Sequence, residues 1–114
     1  MRMRWLLVTA ALMSTPPALA ATKMQFWNET EHEMTGVYLA PAGTQAFGPN
    51  QALNDPDKTV SADERLELRG VPAGRYDVKL VDSNGRTCLI RDVEVRNTGR
   101  VAFAIDEQQL TDCK

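Results

Sequence analysis

The chain is poor in the residues that carry ready-made chemistry. Among 114 residues there is one histidine and there are two cysteines. His32 has no serine or cysteine motif beside it, so no credible set for a His-activated nucleophile is offered. Cys88 and Cys113 have no histidine near them and form neither a zinc spacing nor a C-x-x-C redox pair. Acidic pairs such as Asp63-Glu64 and Asp106-Glu107 do not make a glycosidase site in a chain too short for a deep cleft. Basic surplus is missing as well: 13 Lys and Arg stand against 15 Asp and Glu, so nucleic acid and anionic lipid are not expected partners. No apolar run approaches the roughly 20 residues that a membrane span needs. Nothing after the first twenty residues sustains a helical period, and there is no repeat, low-complexity tract or second domain.

What is present begins with a leader. Arg2 and Arg4 precede the apolar run Trp5 to Met13, then Pro16 and Pro17, then Ala18-Leu19-Ala20. Positive, apolar and small-x-small segments in that order are what signal peptidase recognises, with cleavage expected after Ala20. The expected domain is then 21–114, located in a periplasm or outside the cell. Removal of the two arginines and no acidic residue takes the formal net charge from −2 to −4. In that oxidising setting an even cysteine count implies a Cys88–Cys113 disulfide. A closed loop of that length contributes on the order of 3 kcal/mol by the chain-entropy argument.

The body of the chain alternates strand and turn. Residues 23–27, 34–39, 65–69, 75–81, 86–90, 92–96 and 101–105 alternate apolar with polar positions, and turn clusters separate them. Asn84-Gly85 has the composition of a tight hairpin turn with positive φ. The expectation is an all-β chain, a small antiparallel β-sandwich of about seven strands. Residues 40–59 hold three prolines and two glycines and are too long for a plain connector. They are expected as an Ω-like loop packed by Phe47 and Leu53.

The run Gly70-Val71-Pro72-Ala73-Gly74-Arg75-Tyr76-Asp77-Val78-Lys79-Leu80, with Asp82 and Gly85 after it, resembles a hairpin of transthyretin-like and carboxypeptidase-regulatory-like sandwich modules. A wider pattern joins Phe26, Asn28 and Thr30 to Val37-Tyr38-Leu39-Ala40-Pro41. It continues through Phe47-Gly48-Pro49-Asn50 with Leu53, then Tyr76-Asp77-Val78-Lys79, and ends on Cys88 or Cys113. This pattern resembles a group of small exported bacterial proteins, in which tryptophan and aspartate are usual where Phe47 and Asn50 stand here. The resemblance implies export, a β fold and bacterial origin, and brings no activity with it.

Candidate sites are few. His32 with Met34 and Met24 offers imidazole and thioether to copper, so a periplasmic copper-handling protein is the alternative function. Asp55, Asp57, Thr59, Ser61 and Asp63 alternate like a calcium loop, but Val60 stands where an EF-hand needs glycine. Asn28-Glu29-Thr30 matches a glycosylation sequon. Neighbours on a strand point to opposite faces, so Phe26 and Trp27 cannot both enter one core. If Trp27 is exposed beside Phe47, then Trp27, Tyr38 and Phe47 are the candidate binding surface, suited to a protein or sugar partner; if the long loop folds over it, the group is a satellite core. The leading expectation is a monomeric, non-catalytic binding or accessory module of the cell envelope. It uses no cofactor, and its partner is another envelope or extracellular protein.

Overall fold

A computed structural model describes residues 23–114, and the expected leader, residues 1–20, lies outside the described residues. Six strands form: β1 Gln25–Glu29, β2 Met34–Pro41, β3 Arg65–Glu67, β4 Gly74–Asp82, β5 Thr87–Val95 and β6 Val101–Asp106. They make two three-stranded sheets, ordered β3-β1-β6 and β2-β4-β5. No α-helix occurs among the described residues; two 3₁₀ turns, Gln51–Asn54 and Glu107–Gln109, complete the elements.

Inward-facing alternate residues of the two sheets form one core. Phe26, Leu66, Phe103 and Ile105 come from the first sheet, and Val37, Leu39, Val78 and Leu80 from the second. Phe26 and Phe103 stack at 4.9 Å between ring centroids on neighbouring strands. Fully burying a side chain of this size stabilises by roughly 1.5–3 kcal/mol, and these positions hold the two layers together.

Two details depart from the expected antiparallel seven-strand sandwich. First, residues 86–90 and 92–96 belong to one strand, β5. Tyr76 opposes Val93 while Val78 opposes Ile90, so β5 carries one extra residue between these pairs. Asp92 takes a φ of 57° there. The bulge shifts the in–out alternation by one, so Cys88 and Ile90 point inward before it and Val95 after it. Second, β1 and β6 run parallel. The first and last strands enter the same sheet from the same end, which tandem hairpins would not produce.

The sheet edges are blunted by side chains and short segments. Asn50 lies along β2: its Oδ1 accepts the Val37 N–H at 2.9 Å and its Nδ2 donates to the Thr35 carbonyl at 3.0 Å. The Gly48 N–H donates to the Leu39 carbonyl, and Val60 bridges Met34. Gln51 and Asn54 do the same for the other sheet, bonding the backbone of Arg69 and Glu67. The long loop is thus seated by Gln51, Ala52 and Val60, all buried. Leu53, expected to pack it, is 59% exposed because the 3₁₀ turn rotates it outward.

Asn28 and Thr30 form a buried polar knot at the end of β1. The Asn28 amide faces the carbonyls of His32, Val60 and Ser61, and its Oδ1 accepts from the Thr30 N–H and hydroxyl. The sequon asparagine is therefore fully enclosed. At the β4–β5 hairpin only Gly85 takes positive φ, 83°. Asp82 closes that turn, its carboxylate accepting the N–H groups of Asn84 and Arg86 at 2.9 Å each.

Candidate functional site

The outward face of β2-β4-β5 is a groove between two raised segments. Register brings Tyr38 opposite Lys79 and Lys79 opposite Leu89. Leu89 in turn donates its N–H to the Asp112 carbonyl. The result is a row across the sheet: aromatic, ammonium, apolar, then the chain's last segment. The groove encloses about 740 Å³, within the usual range for small-ligand sites.

Gly36 explains the aromatic end of the row. A Cβ there would lie 2.7 Å from Cε2 of Tyr38 and 3.1 Å from Cβ of Val81, so only glycine lets the ring fold back over the sheet. The Lys79 ammonium sits 4.6 Å from the Tyr38 ring centroid and 4.6 Å from that of Phe47. Two rings on one ammonium fix a side chain that would otherwise be among the most mobile.

One wall is the loop after β2. Gly43 and Gln45 turn it with positive φ. Asp77 then fastens it: one carboxylate oxygen accepts the Gly43 N–H at 2.9 Å, and the other accepts the Asp92 N–H of the β5 bulge at 3.0 Å. Alternation alone places Asp77 outward with Lys79, but the loop covers it and leaves it 9% exposed. The opposite wall is the tail. Thr87 and Lys114 exchange backbone hydrogen bonds at 2.8 and 2.9 Å, and Cys88 is disulfide-bonded to Cys113 directly across from it.

The charges lining the groove are mostly spent on one another. Arg91 pairs with Asp112 at 2.9 Å. Asp92 pairs with Arg75 at 2.6 Å, and that hydrogen bond with the adjacent guanidinium charge holds Asp92 below the usual carboxylate range. Both oxygens of Asp77 are engaged by backbone N–H groups. Among the described residues, the Lys79 side chain has no carboxylate partner.

The expected aromatic surface is divided by the fold. Trp27 lies on the outward face of the other sheet, since Phe26 and Asn28 beside it face the core. Its indole is already occupied: Arg65 stacks 4.5 Å from the ring centroid, and Nε1–H donates to Asp63 at 3.0 Å. Tyr38 and Phe47 are the two that come together.

The copper candidates lie in different surroundings. Met34 is a core residue, Met24 packs against the core, and His32 Nε2 lies 2.7 Å from a Glu107 carboxylate oxygen at the surface. Of the alternating oxygens of 55–63, Asp55 accepts from the Asp57 N–H and Asp63 accepts from the Trp27 indole. Asp55 and Glu64 share a hydrogen bond that lowers Asp55 and raises Glu64, with burial adding to the rise at Glu64. No group of three or more His, Cys, Asp or Glu able to hold a metal ion occurs among the described residues.

Leu89, Arg91, Asp112 and Lys114 line the groove without having been candidates in the sequence. A signal for Leu89 existed: it lies between inward-facing Cys88 and Ile90 and must point out. The tail residues gave none, because their position follows from the disulfide partner and not from periodicity. Comparison with protein-family models, curated proteins and solved structures finds no match to this chain.

Proposed function

We propose that the protein is an exported, non-catalytic binding module of the cell envelope and that its ligand seats in the groove over Lys79 and Leu89. The observation that carries this reading is the pair of anchored walls. Asp77 fastens one and the Cys88–Cys113 disulfide the other, so the groove is preorganised and its ordering cost is already met. The leader, the bridged cysteines and the resemblance to small exported bacterial proteins support a periplasmic or secreted monomer. The working partner is another envelope or extracellular protein, or a molecule it presents. A non-catalytic role is supported by the cysteines, which are bonded to each other.

The test pairs native mass spectrometry with site-specific crosslinking in the source envelope. A photoreactive side chain in place of Ala42, on the groove wall, is expected to crosslink a ligand or partner, whereas one in place of Gln25, on the Trp27 face, is not. Equal crosslinking from both positions, or none from Ala42 alongside an unladen native mass, removes the groove as the binding surface.

A further inference from the structure

Resting on that reading, we infer that the groove recognises an amphipathic organic anion: a single carboxylate carried on an apolar body. The argument begins from what the groove leaves unsatisfied. Its three lining carboxylate side chains are engaged, Asp112 by Arg91, Asp92 by Arg75, and Asp77 by two backbone N–H groups. Lys79 is a cation with no carboxylate within ion-pair distance among the described residues. Lys79 is also held in place by Tyr38 and Phe47, and its remaining N–H donors have no fixed acceptor. A ligand that covered this ammonium without offering an acceptor would desolvate a charge for nothing.

The remaining lining is apolar at Phe47, Leu89 and Ala42. A hydrated inorganic anion would leave that surface in water, while an aliphatic or aromatic body would cover it. A neutral polyol fits poorly, because the carboxylates that could accept its hydroxyl protons are already committed. A polyanion is disfavoured by the chain's own negative net charge and by a groove whose one fixed, unpaired ammonium is Lys79. What remains is one negative charge on a compact apolar frame. A free organic acid has this chemistry, and so does the carboxylate end of a partner polypeptide whose last side chain is apolar.

Amide-resolved NMR titration of the oxidised protein tests the inference with 4-phenylbutyrate and its uncharged amide, 4-phenylbutyramide. A second arm uses a short peptide ending in phenylalanine, with its terminus either free or amidated. The acid of at least one pair is expected to bind about tenfold more tightly than its amide, the margin of a charge-assisted over a neutral hydrogen bond. Shifts should centre on Lys79, Leu89 and Phe47. Lys79→Gln should abolish the acid–amide difference, while Trp27→Ala should leave it unchanged. Preference in the first arm alone identifies a free acid as the source, and preference in the second identifies a chain terminus. Equal affinity of acid and amide overturns the anion and keeps the groove as a binding surface. No groove shift with any probe, while Ala42 still crosslinks in the envelope, overturns the anion alone. Absence of both effects removes the binding reading with it.

Discussion

The two outward faces of the sandwich start from similar materials and end differently. On one, Trp27 carries Arg65 on its ring and gives its indole proton to Asp63. On the other, Tyr38 and Phe47 carry Lys79 between them. Each is an aromatic–cation cluster at a partly exposed position. The first is self-contained on an open sheet. The second lies between a loop and a tail that stand above the sheet, and its cation has no carboxylate among the described residues. An exposed aromatic residue is common on protein surfaces. Walls and an unspent charge distinguish the second face.

The largest effect comes from removing a wall. Replacing both Cys88 and Cys113 with alanine should cost about 3 kcal/mol in denaturant unfolding. It should also free residues 110–114 from β5, seen as faster amide exchange at Lys114 and Leu89, with no change around Trp27. Protection at Lys114 that survives the double substitution would mean that hydrogen bonds alone hold the wall.

Asn50 tests the other wall next. Its side chain accepts from Val37 and donates to Thr35. Asn50→Asp keeps the acceptor but turns a carboxylate toward the Thr35 carbonyl, at a cost of roughly 1–3 kcal/mol. The loop carrying Phe47 should loosen, with exchange rising at Gly48 before any residue of β1. An unchanged unfolding midpoint would show that the Gly48 and Val60 contacts suffice without it.

Acid acts on the same sheet through Asp82, outside the groove. Burial pushes this carboxyl up, but the N–H groups of Arg86 and Asn84 and the charges of Arg86 and His32 outweigh it and hold it below its ordinary value. A depressed folded pKa means that the carboxylate's stabilisation is present above the unfolded pKa of about 3.9 and is lost as pH falls through the folded value. Asp82→Asn retains an oxygen acceptor for both amides and removes the charge. The variant should be less stable than the parent at pH 7, and the gap should close below about pH 4. A gap independent of pH would assign the loss to geometry.

How much of this was legible beforehand depends on the distance over which each feature is decided. Strand positions such as 75–81 and 101–105, the shared face of Val78 and Leu80, and the cysteine pairing follow from local alternation and from an even cysteine count. The bulge at Asp92 was hidden because a positive φ is signalled by glycine, and aspartate takes it here. It made one strand read as two. Leu53 looked like the loop's anchor on hydrophobicity alone, yet a 3₁₀ turn buries the neighbouring Ala52. The separation of Trp27 from Phe47 is a matter of strand order, which no short window contains. Gly43 and Asp77, 34 residues apart, meet only once β2 and β4 are paired.

The smallest expected effect sharpens the comparison most. Trp27→Ala removes the Arg65 stack and the Asp63 hydrogen bond, each an exposed interaction, and should cost about 1 kcal/mol. Tyr38 and Phe47 lie beyond the core on the opposite face, so the backbone amide of Lys79 should keep its chemical shift in that variant. Phe47→Ala should do the reverse, moving the Lys79 resonance while leaving the indole N–H of Trp27 in place. Cross-talk between these reporters would mean that the core transmits strain from one sheet to the other, and the two faces would then be parts of one coupled surface. Independence would leave Trp27 as a stabilising contact of its own sheet and Lys79 as the group awaiting a ligand.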